Sequence, residues 1–195
     1  MSELEDVRAA LARPAARIED GGLRQAAVAM LISPGRRVWF IQRAERPGDP
    51  WSGHVAFPGG HHEPGDPDLL ATARRETVEE TGLELDGAEV LGDLDDLRTR
   101  PVLTKMIRPY VFRLDHTPVL RPSAEAVAYH SLTLDELLAG HGRTSFSWPM
   151  RGLGVRLPCV ELPGARLWGL TLQVVDTLLH RIDGRGVGLE RPVAR

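Results

Sequence analysis

The sequence has little cysteine, no long apolar run and no marked excess of charge of either sign. A single Cys159 among 195 residues excludes an intramolecular disulfide and any zinc site built from several cysteines, so we expect a small buried hydrophobe there. No apolar run approaches the ~18 residues of a membrane-spanning helix. The formal net charge of -3 gives no broad basic surface, which argues against a dedicated nucleic-acid binder. We therefore expect neither membrane nor nucleic-acid partners.

The N-terminus has acidic residues where a secretory signal peptide would carry a basic patch and an apolar core, so we expect a cytoplasmic protein. Ser2 followed by Glu5 is a capping-box signal for a short helix that ends before Pro14. Residues 1–20 are thus expected to form a helical extension. With 42% hydrophobic residues, positions 1–195 are long enough for one domain with a substantial core, and the sequence leaves a homodimer open.

The pattern of apolar residues along the chain predicts strands and helices in mixed order. The predicted elements are a hairpin of residues 26–32 and 38–43, strands at 88–92 and 107–114, a strand and short helix within 123–140, and an amphipathic helix over 170–184. Because these elements do not follow a strict βαβ rhythm, we predict an α/β fold in which a mixed sheet carries helices on both faces.

A further helix is predicted over residues 67–81, with Asp66 as N-cap, Pro67 in the first turn and Gly82 after the last residue. At ~100° per residue its three glutamates, Glu76, Glu79 and Glu80, share one face. The opposite face, formed by Leu70, Ala71 and Val78, is expected to pack into the core.

Three neighbouring carboxylates near a helix C-terminus are unfavourable by local energetics, because like charges repel and the helix dipole favours cations there. One interpretation is a solvated charged face, with Arg74 and Arg75 offsetting part of the repulsion. The other is a site for a hard divalent cation such as Mg²⁺, which prefers oxygen ligands and retains water and substrate phosphate oxygens. Gly59 and Gly60 would let backbone approach the same site.

The run from Gly60 through Arg75-Glu76 and Glu79-Glu80 to Gly82-Leu83 resembles the Nudix box, within residues 59–83. Asp66 stands where the box usually has Glu, eight residues rather than seven precede Arg75, and Thr77 fills an aliphatic place. The Asp and the added residue resemble the coenzyme A diphosphatase branch of the Nudix hydrolases.

Other stretches extend this resemblance over most of the chain: HVAFPGG (54–60), IQRA (41–44), the Glu-led segment that begins at Glu125, and LPCVELPGARLWGLTLQVVDTLL (157–179). One departure is Trp51-Ser52-Gly53-His54, where the branch has His-x-Gly-Gln. This departure leaves ADP-ribose or another nucleoside diphosphate derivative open as the substrate.

The resemblance implies an α/β/α Nudix sandwich that uses Mg²⁺ or Mn²⁺ to direct water at a diphosphate in a small-molecule substrate. It implies Glu76 and Glu80 as principal metal ligands, Glu79 as a supporting ligand or water anchor, and the Gly60 carbonyl as a backbone ligand. Arg75 is expected to orient a carboxylate. Glu125 is the candidate for a further ligand or general base, because one helix supplies carboxylates from one side only.

The remaining candidates are expected to contact the substrate, and each has a plainer alternative. His54, His61, Arg43 and Phe57 are assigned to the substrate; for Arg43 an ordinary surface charge, for His61 an exposed side chain and for Phe57 a core position are the alternatives. Zinc at His61-His62-Glu63 is rejected because adjacent residues of an extended chain point to opposite sides. Trp168 is expected to anchor the last helix in the core.

The substrate itself is expected to be coenzyme A or an acyl derivative, cleaved to 3′,5′-ADP and a phosphopantetheine product. Its 3′-phosphate would need a cationic contact, for which the sequence offers Arg43, Arg46, Arg98 and Arg100. A Nudix domain that senses a nucleotide without hydrolysing it is the alternative from a different functional class.

Overall fold

The structure, a computed structural model, describes residues 3–18, 23–48, 51–99, 105–150 and 153–184. Its elements in chain order are α1 (Glu5–Leu11), β1 (Arg24–Ser33), β2 (Arg37–Arg43), β3 (Val55–Ala56), β4 (Gly59–His61), α2 (Leu69–Thr81), β5 (Glu89–Asp93), β6 (Leu97–Arg98), β7 (Lys105–Arg113), β8 (Ala126–Thr133), α3 (Leu134–Leu138), β9 (Arg143–Met150), β10 (Leu153–Leu162), β11 (Ala165–Trp168) and α4 (Gly169–Asp183).

The larger sheet is mixed, as predicted. Strand β1 pairs in parallel with β7, while β1 with β2, β2 with β8 and β5 with β7 are antiparallel. The predicted hairpin of 26–32 and 38–43 is confirmed by the β1–β2 pair, whose register aligns Ile32 with Val38.

The glycine-rich segment before the box lies between the two strands of this hairpin. Strand β1 pairs with β2 only at Leu31–Ser33, beside the turn, and further along it pairs with β4 instead. Strand β3, which precedes β4 in the chain, pairs with β2. Between β3 and β4 the Pro58 carbonyl accepts the Ala29 N–H at 2.8 Å. Backbone hydrogen bonds on both sides therefore hold Gly59 and Gly60 at a fixed position in the sheet.

Helices cover both faces of this sheet, which confirms the α/β/α arrangement. One face, lined by Ala27, Ala29 and Leu31 of β1, packs against Leu69 and Ala73 of α2. The other face packs against α1, α3, α4 and a second, antiparallel sheet in the order β11-β10-β9. No helix in the described part of the chain is both long and apolar enough to span a membrane.

Most predicted elements are confirmed within one to three residues. The predicted strands at 88–92 and 107–114 are β5 and β7, and the segment 123–140 contains β8 and α3. The last helix ends at Asp183, and Gly184, whose φ is 70°, is its C-cap. The second sheet was not predicted, because Gly and Pro interrupt the alternation of residues 143–168.

The N-terminal helix and the helix that carries the box both differ from the prediction at their starts. Ser2 lies outside the described residues, and α1 begins at Glu5 after Leu4, which makes no side-chain cap. Helix α2 begins at Leu69, and its N-cap is Asp68, whose carboxylate accepts the Ala71 N–H at 2.8 Å. The prediction of Asp66 as N-cap is wrong because Arg75 binds that carboxylate instead.

The buried face of α2 is also different from the predicted one. Leu70, Ala71 and Val78 are only partly buried, whereas Thr72, Ala73, Thr77, Glu80 and Thr81 are buried. Polar residues can occupy this face because the Thr77 and Thr81 hydroxyls donate to the helix's own carbonyls, four residues earlier, at 2.7 and 2.6 Å. Glu80 is thereby turned into the protein rather than toward solvent.

Candidate active site

Arg75 is the centre of the charged network at the start and middle of α2. Its Nε and Nη2 bind the two carboxylate oxygens of Asp66 at 3.0 and 3.1 Å, and its Nη2 also donates to the His61 carbonyl at 2.9 Å. The guanidinium holds the pKa of Asp66 well below its usual range, and Thr72 supports the same carboxylate with a 2.8 Å hydrogen bond. Arg75 therefore ties the loop before α2 to the helix.

The same guanidinium contacts two of the three clustered glutamates. Its Nη1 lies 3.0 Å from Glu76 Oε1 and 3.3 Å from Glu79 Oε1. The two carboxylates differ in exposure, because the Glu76 side chain is 14% exposed and that of Glu79 is 57% exposed. Arg75 thus orients Glu76 inside the site, whereas Glu79 is exposed at its rim.

Gly60 is required for the placement of Glu76. A Cβ atom on residue 60 would lie 2.3 to 2.5 Å from the three carboxyl atoms of Glu76, closer than any real contact. Burial raises the pKa of Glu76, and the neighbouring Arg75 opposes that shift. The Glu76 carboxylate therefore fills the space that a side chain at residue 60 would take, directly against the backbone of β4.

Glu80 is the most deeply buried of the three, with a relative exposure of 2%. Its Oε2 accepts the Gly59 backbone N–H at 2.8 Å. Burial raises its pKa from an ordinary 4.5 to about 7, the Gly59 hydrogen bond opposes that shift, and the charge of Glu76 adds to it. One hydrogen bond does not offset the desolvation of this carboxylate, so the charged form of Glu80 destabilises the folded protein.

Two residues from other elements are close enough to act on this pair electrostatically. The charge of Glu125 raises the pKa of both Glu76 and Glu80, while that of Arg43 lowers the pKa of Glu80. Glu125 precedes β8, is about half exposed and lies 3.3 Å from Arg46 Nη2. The fold therefore brings another carboxylate and a cation near the Glu76–Glu80 pair from elements other than α2, namely the end of β2 and the residue before β8.

Tyr129 is a residue of this region that the sequence did not single out. Its hydroxyl contacts the Glu80 carbonyl at 3.0 Å and the Arg121 carbonyl at 2.5 Å. The contact lies at the end of α2, where helix carbonyls lack intrahelical partners. Tyr129 therefore fixes β8 to the end of the helix that carries Glu80; a half-buried tyrosine in a strand gives no signal of this in sequence.

His54 lies in a cluster of aromatic rings formed with residues of β9 and β11. Its ring centroid is 4.6 Å from that of Trp168 and 6.3 Å from that of Trp148, and Phe146 completes the cluster. Trp168 is half-buried among these rings and precedes α4 as its N-cap, so the prediction that it lies in the core is wrong. Residues of the unpredicted second sheet supply three of the four rings.

Phe57 does not lie at a surface where a substrate could reach it. Its relative exposure is 3%, and its ring centroid is 5.0 Å from that of Phe40 in the core. The assignment of Phe57 to the substrate is therefore corrected: the residue holds the glycine loop against the core. Cys159 is fully buried in β10, as expected of a small hydrophobe.

His61 is half-buried, and its Nε2 lies 2.8 Å from the Nζ of Lys105. Burial lowers its pKa, and the charges of Lys105 and Arg24 add to that shift. His62 points elsewhere, to Thr72 at 3.0 Å, which agrees with the rejection of a zinc site at this pair. Arg100 lies outside the described residues.

The donor set around Glu76 and Glu80 suits a hard divalent cation that keeps other ligands. In the described parts of the chain, no three His, Cys, Asp or Glu side chains are close enough together to hold a metal ion by themselves. Mg²⁺ is commonly held by one or two carboxylates, completing its shell with water and substrate phosphate. Glu76 and Glu80 fit that role, because two repelling, desolvated carboxylates are stabilised by a cation.

The comparisons with known proteins agree with this geometry. The family model described as NUDIX domain matches residues 22–150. The mitochondrial coenzyme A diphosphatase of Mus musculus is 31% identical over 183 residues, which cover 88% of this chain and 84% of the mouse protein. An uncharacterized Nudix hydrolase of Photorhabdus laumondii is 26% identical over 87% of this chain and 90% of its own.

An uncharacterized protein of Schizosaccharomyces pombe is 39% identical over a shorter stretch of 92 residues, 43% of this chain, and the match spans only 27% of that protein's length. The family model nevertheless covers well over half of the present sequence, and its range includes the helix with Glu76 and Glu80, the glycine loop and Glu125. The chain therefore belongs to the Nudix hydrolase family.

Proposed function

We propose that this Nudix hydrolase cleaves the diphosphate of coenzyme A or an acyl-coenzyme A, giving 3′,5′-ADP and a phosphopantetheine product. The observation that carries the reaction class is the pair of desolvated carboxylates, Glu76 and Glu80, held against Gly60 and Gly59. The substrate is supported by the similarity to the mouse coenzyme A diphosphatase over most of both chains.

Nudix hydrolases use divalent cations such as Mg²⁺ or Mn²⁺. In this chain Glu76 and Glu80 would hold the cation, Glu79 would anchor its water, and the Gly60 carbonyl is the candidate backbone ligand. Such a cation neutralises diphosphate oxygens and lowers the pKa of a bound water. Arg75 orients Glu76 and holds the glycine loop, and Arg43 favours the charged form of Glu80. Glu125 is the candidate proton acceptor from the other side.

A second candidate is hydrolysis of ADP-ribose or a dinucleotide. The observation that favours it is the aromatic cluster at His54, Trp148 and Trp168, since aromatic rings offer flat surfaces to a second base or ring. His54 stands where the coenzyme A branch has Gln, so the loop 51–54 is the part of the site in which this chain departs from the branch.

The deciding experiment compares kcat/KM for coenzyme A, ADP-ribose, NADH and a nucleoside triphosphate with Mg²⁺, because specificity is a ratio of those values. We expect coenzyme A to be preferred by at least about tenfold, or ~1.4 kcal/mol of transition-state stabilisation. A smaller preference would remove coenzyme A as the substrate and leave the reaction class. Binding of these ligands with no turnover of any of them would favour the non-catalytic sensor.

A further inference from the structure

Glu125, the candidate proton acceptor, lies where the regular pairing of β8 with β2 ends. The register moves from Ala128 to Ala126 while β2 advances by a single residue, so Val127 is an extra residue of β8, which forms a β-bulge. A bulge interrupts the alternation of side chains along a strand. The direction of the Glu125 side chain is therefore set by contacts outside the ladder and not by the register of β8.

The backbone of Glu125 is fixed by hydrogen bonds on both sides. Its N–H donates to the Ser123 hydroxyl oxygen at 3.1 Å, and its carbonyl accepts the Ala44 N–H at 2.8 Å. The same Ser123 oxygen accepts the Ala126 N–H at 3.0 Å. The carboxylate itself contacts Arg46 at 3.3 Å, but both side chains of this ion pair are about half exposed, and exposed ion pairs stabilise little. The place of the carboxylate therefore depends mainly on its backbone.

Residues 121–126 form the Glu125 segment, which is tied at its first residue to the end of α2. The Arg121 N–H donates to the Thr81 carbonyl at 2.9 Å. The Tyr129 hydroxyl lies 2.5 Å from the Arg121 carbonyl and 3.0 Å from the Glu80 carbonyl. The carbonyls of Glu80 and Thr81 belong to the last turn of the helix, where intrahelical donors are lacking. The Glu125 segment and Tyr129 therefore cap the helix that carries Glu80.

The Tyr129 hydroxyl joins the two parts of the site. Its single O–H proton lies between a carbonyl of the Glu125 segment and a carbonyl of α2, and can be donated to either of them. Tyr129 is itself part of β8, the strand that directly follows the Glu125 segment. Its side chain therefore turns back to the first residue of that segment, so that the segment is held at both ends.

Helix α2 does not depend on this contact for its own place. Thr77, Glu80 and Thr81 are buried, and the Glu80 carboxylate accepts the Gly59 N–H at 2.8 Å. The Glu125 segment, by contrast, consists mostly of exposed residues. Loss of the tyrosine hydroxyl should therefore loosen the Glu125 segment and leave the carboxylates of α2 where they are.

We propose that Tyr129 is a positioning residue, whose hydroxyl fixes the Glu125 segment to the end of α2 and thereby sets the place of the Glu125 carboxylate relative to Glu76 and Glu80. This inference rests on the proposed function, in which Glu125 is the proton acceptor. Proton transfer requires hydrogen-bond reach, so a displacement of about 1 Å lowers turnover. Because its hydroxyl is engaged with two backbone carbonyls, Tyr129 acts through Glu125 and not on the substrate.

The first test compares the two tyrosines of the sequence. Tyr129→Phe keeps the ring and removes the hydroxyl, and we expect it to lower kcat at saturating Mg²⁺ by about tenfold. KM and the Mg²⁺ concentration for half-maximal activity should stay within about twofold of wild type. Tyr110→Phe, in β7 with its hydroxyl beside Arg108, is the matched control and should change none of these values. The substrate is whichever of coenzyme A, ADP-ribose, NADH and a nucleoside triphosphate the wild type hydrolyses fastest.

The second test asks whether Tyr129 acts through Glu125. In a Glu125→Gln background, Tyr129→Phe should lower kcat by less than about twofold, because residues that act as a unit are not additive. Ser123→Ala removes the acceptor of the Glu125 N–H without touching α2 and should lower kcat as Tyr129→Phe does. Losses that multiply in the double variant, or a raised Mg²⁺ requirement of Tyr129→Phe, would assign its effect to Glu80 and overturn the proposal.

Amide hydrogen exchange of the metal-free protein tests the tie without turnover. In Tyr129→Phe the N–H groups of Arg121 and Ala44, which are bonded to Thr81 and Glu125, should exchange about tenfold faster than in wild type. The N–H of Gly59, which is bonded to the Glu80 carboxylate, should exchange at the wild-type rate.

The outcomes separate this inference from the proposed function. If the wild type hydrolyses none of these compounds, the proposed function fails, and faster exchange in Tyr129→Phe still supports the tie between the Glu125 segment and α2. If the wild type is active but Tyr129→Phe equals it in kcat or in exchange, the inference fails and the hydrolase stands. Near-normal turnover of Glu125→Gln would likewise overturn the inference and leave the reaction class.

Discussion

Replacing Glu80 with Gln tests whether the site holds a charge that the fold does not stabilise. Glu80 is 2% exposed, and its pKa is raised from 4.5 to about 7, a shift of about 3 kcal/mol between the two protonation states. Gln is nearly isosteric, and its amide oxygen can still accept the Gly59 N–H. The variant therefore removes the charge while keeping the shape and the hydrogen bond.

The raised pKa of Glu80 determines whether Glu80→Gln stabilises or destabilises the protein at a given pH. Below pH 4.5 the carboxyl is protonated in both the folded and the unfolded chain, so it carries no penalty. As the pH rises toward about 7, the unfolded chain ionises first and folding loses stability, and above that pH the loss is complete. Without metal, Glu80→Gln should thus be more stable than wild type by about 3 kcal/mol at pH 8 and nearly equal to it at pH 4.5.

The assay is urea unfolding in a chelating buffer at both pH values, with Glu84→Gln, an exposed residue just beyond the helix, as the matched control. Saturating Mg²⁺ should raise the melting temperature of wild type and have a smaller effect on the variant. Turnover should fall by orders of magnitude. A variant no more stable than wild type at pH 8 would refute the burial argument, and near-normal turnover at saturating Mg²⁺ would refute the ligand assignment.

Three further substitutions test the surroundings of the pair. Gly60→Ala, whose Cβ would lie 2.3 Å from Glu76 Oε1, should lower kcat/KM by about a hundredfold, whereas Gly65→Ala, with open space around it, should be neutral; equal rates would contradict the clash. Arg75→Lys loses the paired bonds that lower the pKa of Asp66 from its ordinary 3.8, so the stability that these bonds contribute is complete above pH 3.8 and partly lost at pH 3. Urea unfolding of this variant should therefore show a larger loss of stability at pH 7 than at pH 3, and a loss independent of pH would contradict this. Phe57→Leu should lower the free energy of unfolding by about 1 kcal/mol and leave KM unchanged, and a raised KM would restore Phe57 to the substrate site.

The sequence predicts which residues of α2 carry the carboxylates better than it predicts which face of the helix is buried. The offsets of Glu76, Glu79 and Glu80 identify the box, but hydrophobicity places Leu70 and Val78 in the core, and the structure buries the threonines and Glu80 instead. Hydrophobic periodicity assumes that polar residues face solvent. That assumption fails here because Thr77 and Thr81 satisfy their hydroxyls within the helix.

Long-range contacts account for the remaining differences. Lys105 and His61 are 44 residues apart in the chain, and only the parallel pairing of β1 with β7 and the insertion of β4 beside β1 bring them together. The same holds for His54, which meets Trp148 and Trp168 through a sheet that the local sequence does not indicate. The cytoplasmic location, the homodimer and the extent of the single domain stay predictions.

The three glutamates at the end of α2 are compensated unequally, and this inequality explains how the cluster is tolerated. Glu79 is exposed, and Glu76, whose pKa burial also raises, has Arg75 at 3.0 Å to oppose that shift. Glu80 has one backbone N–H and the more distant charge of Arg43, and its pKa shift shows that these do not offset its burial. The unfavourable energy is therefore largest at Glu80, beside the glycine loop. Because a cation that binds there removes this energy only in the folded chain, metal affinity and folding stability should be linked through Glu80.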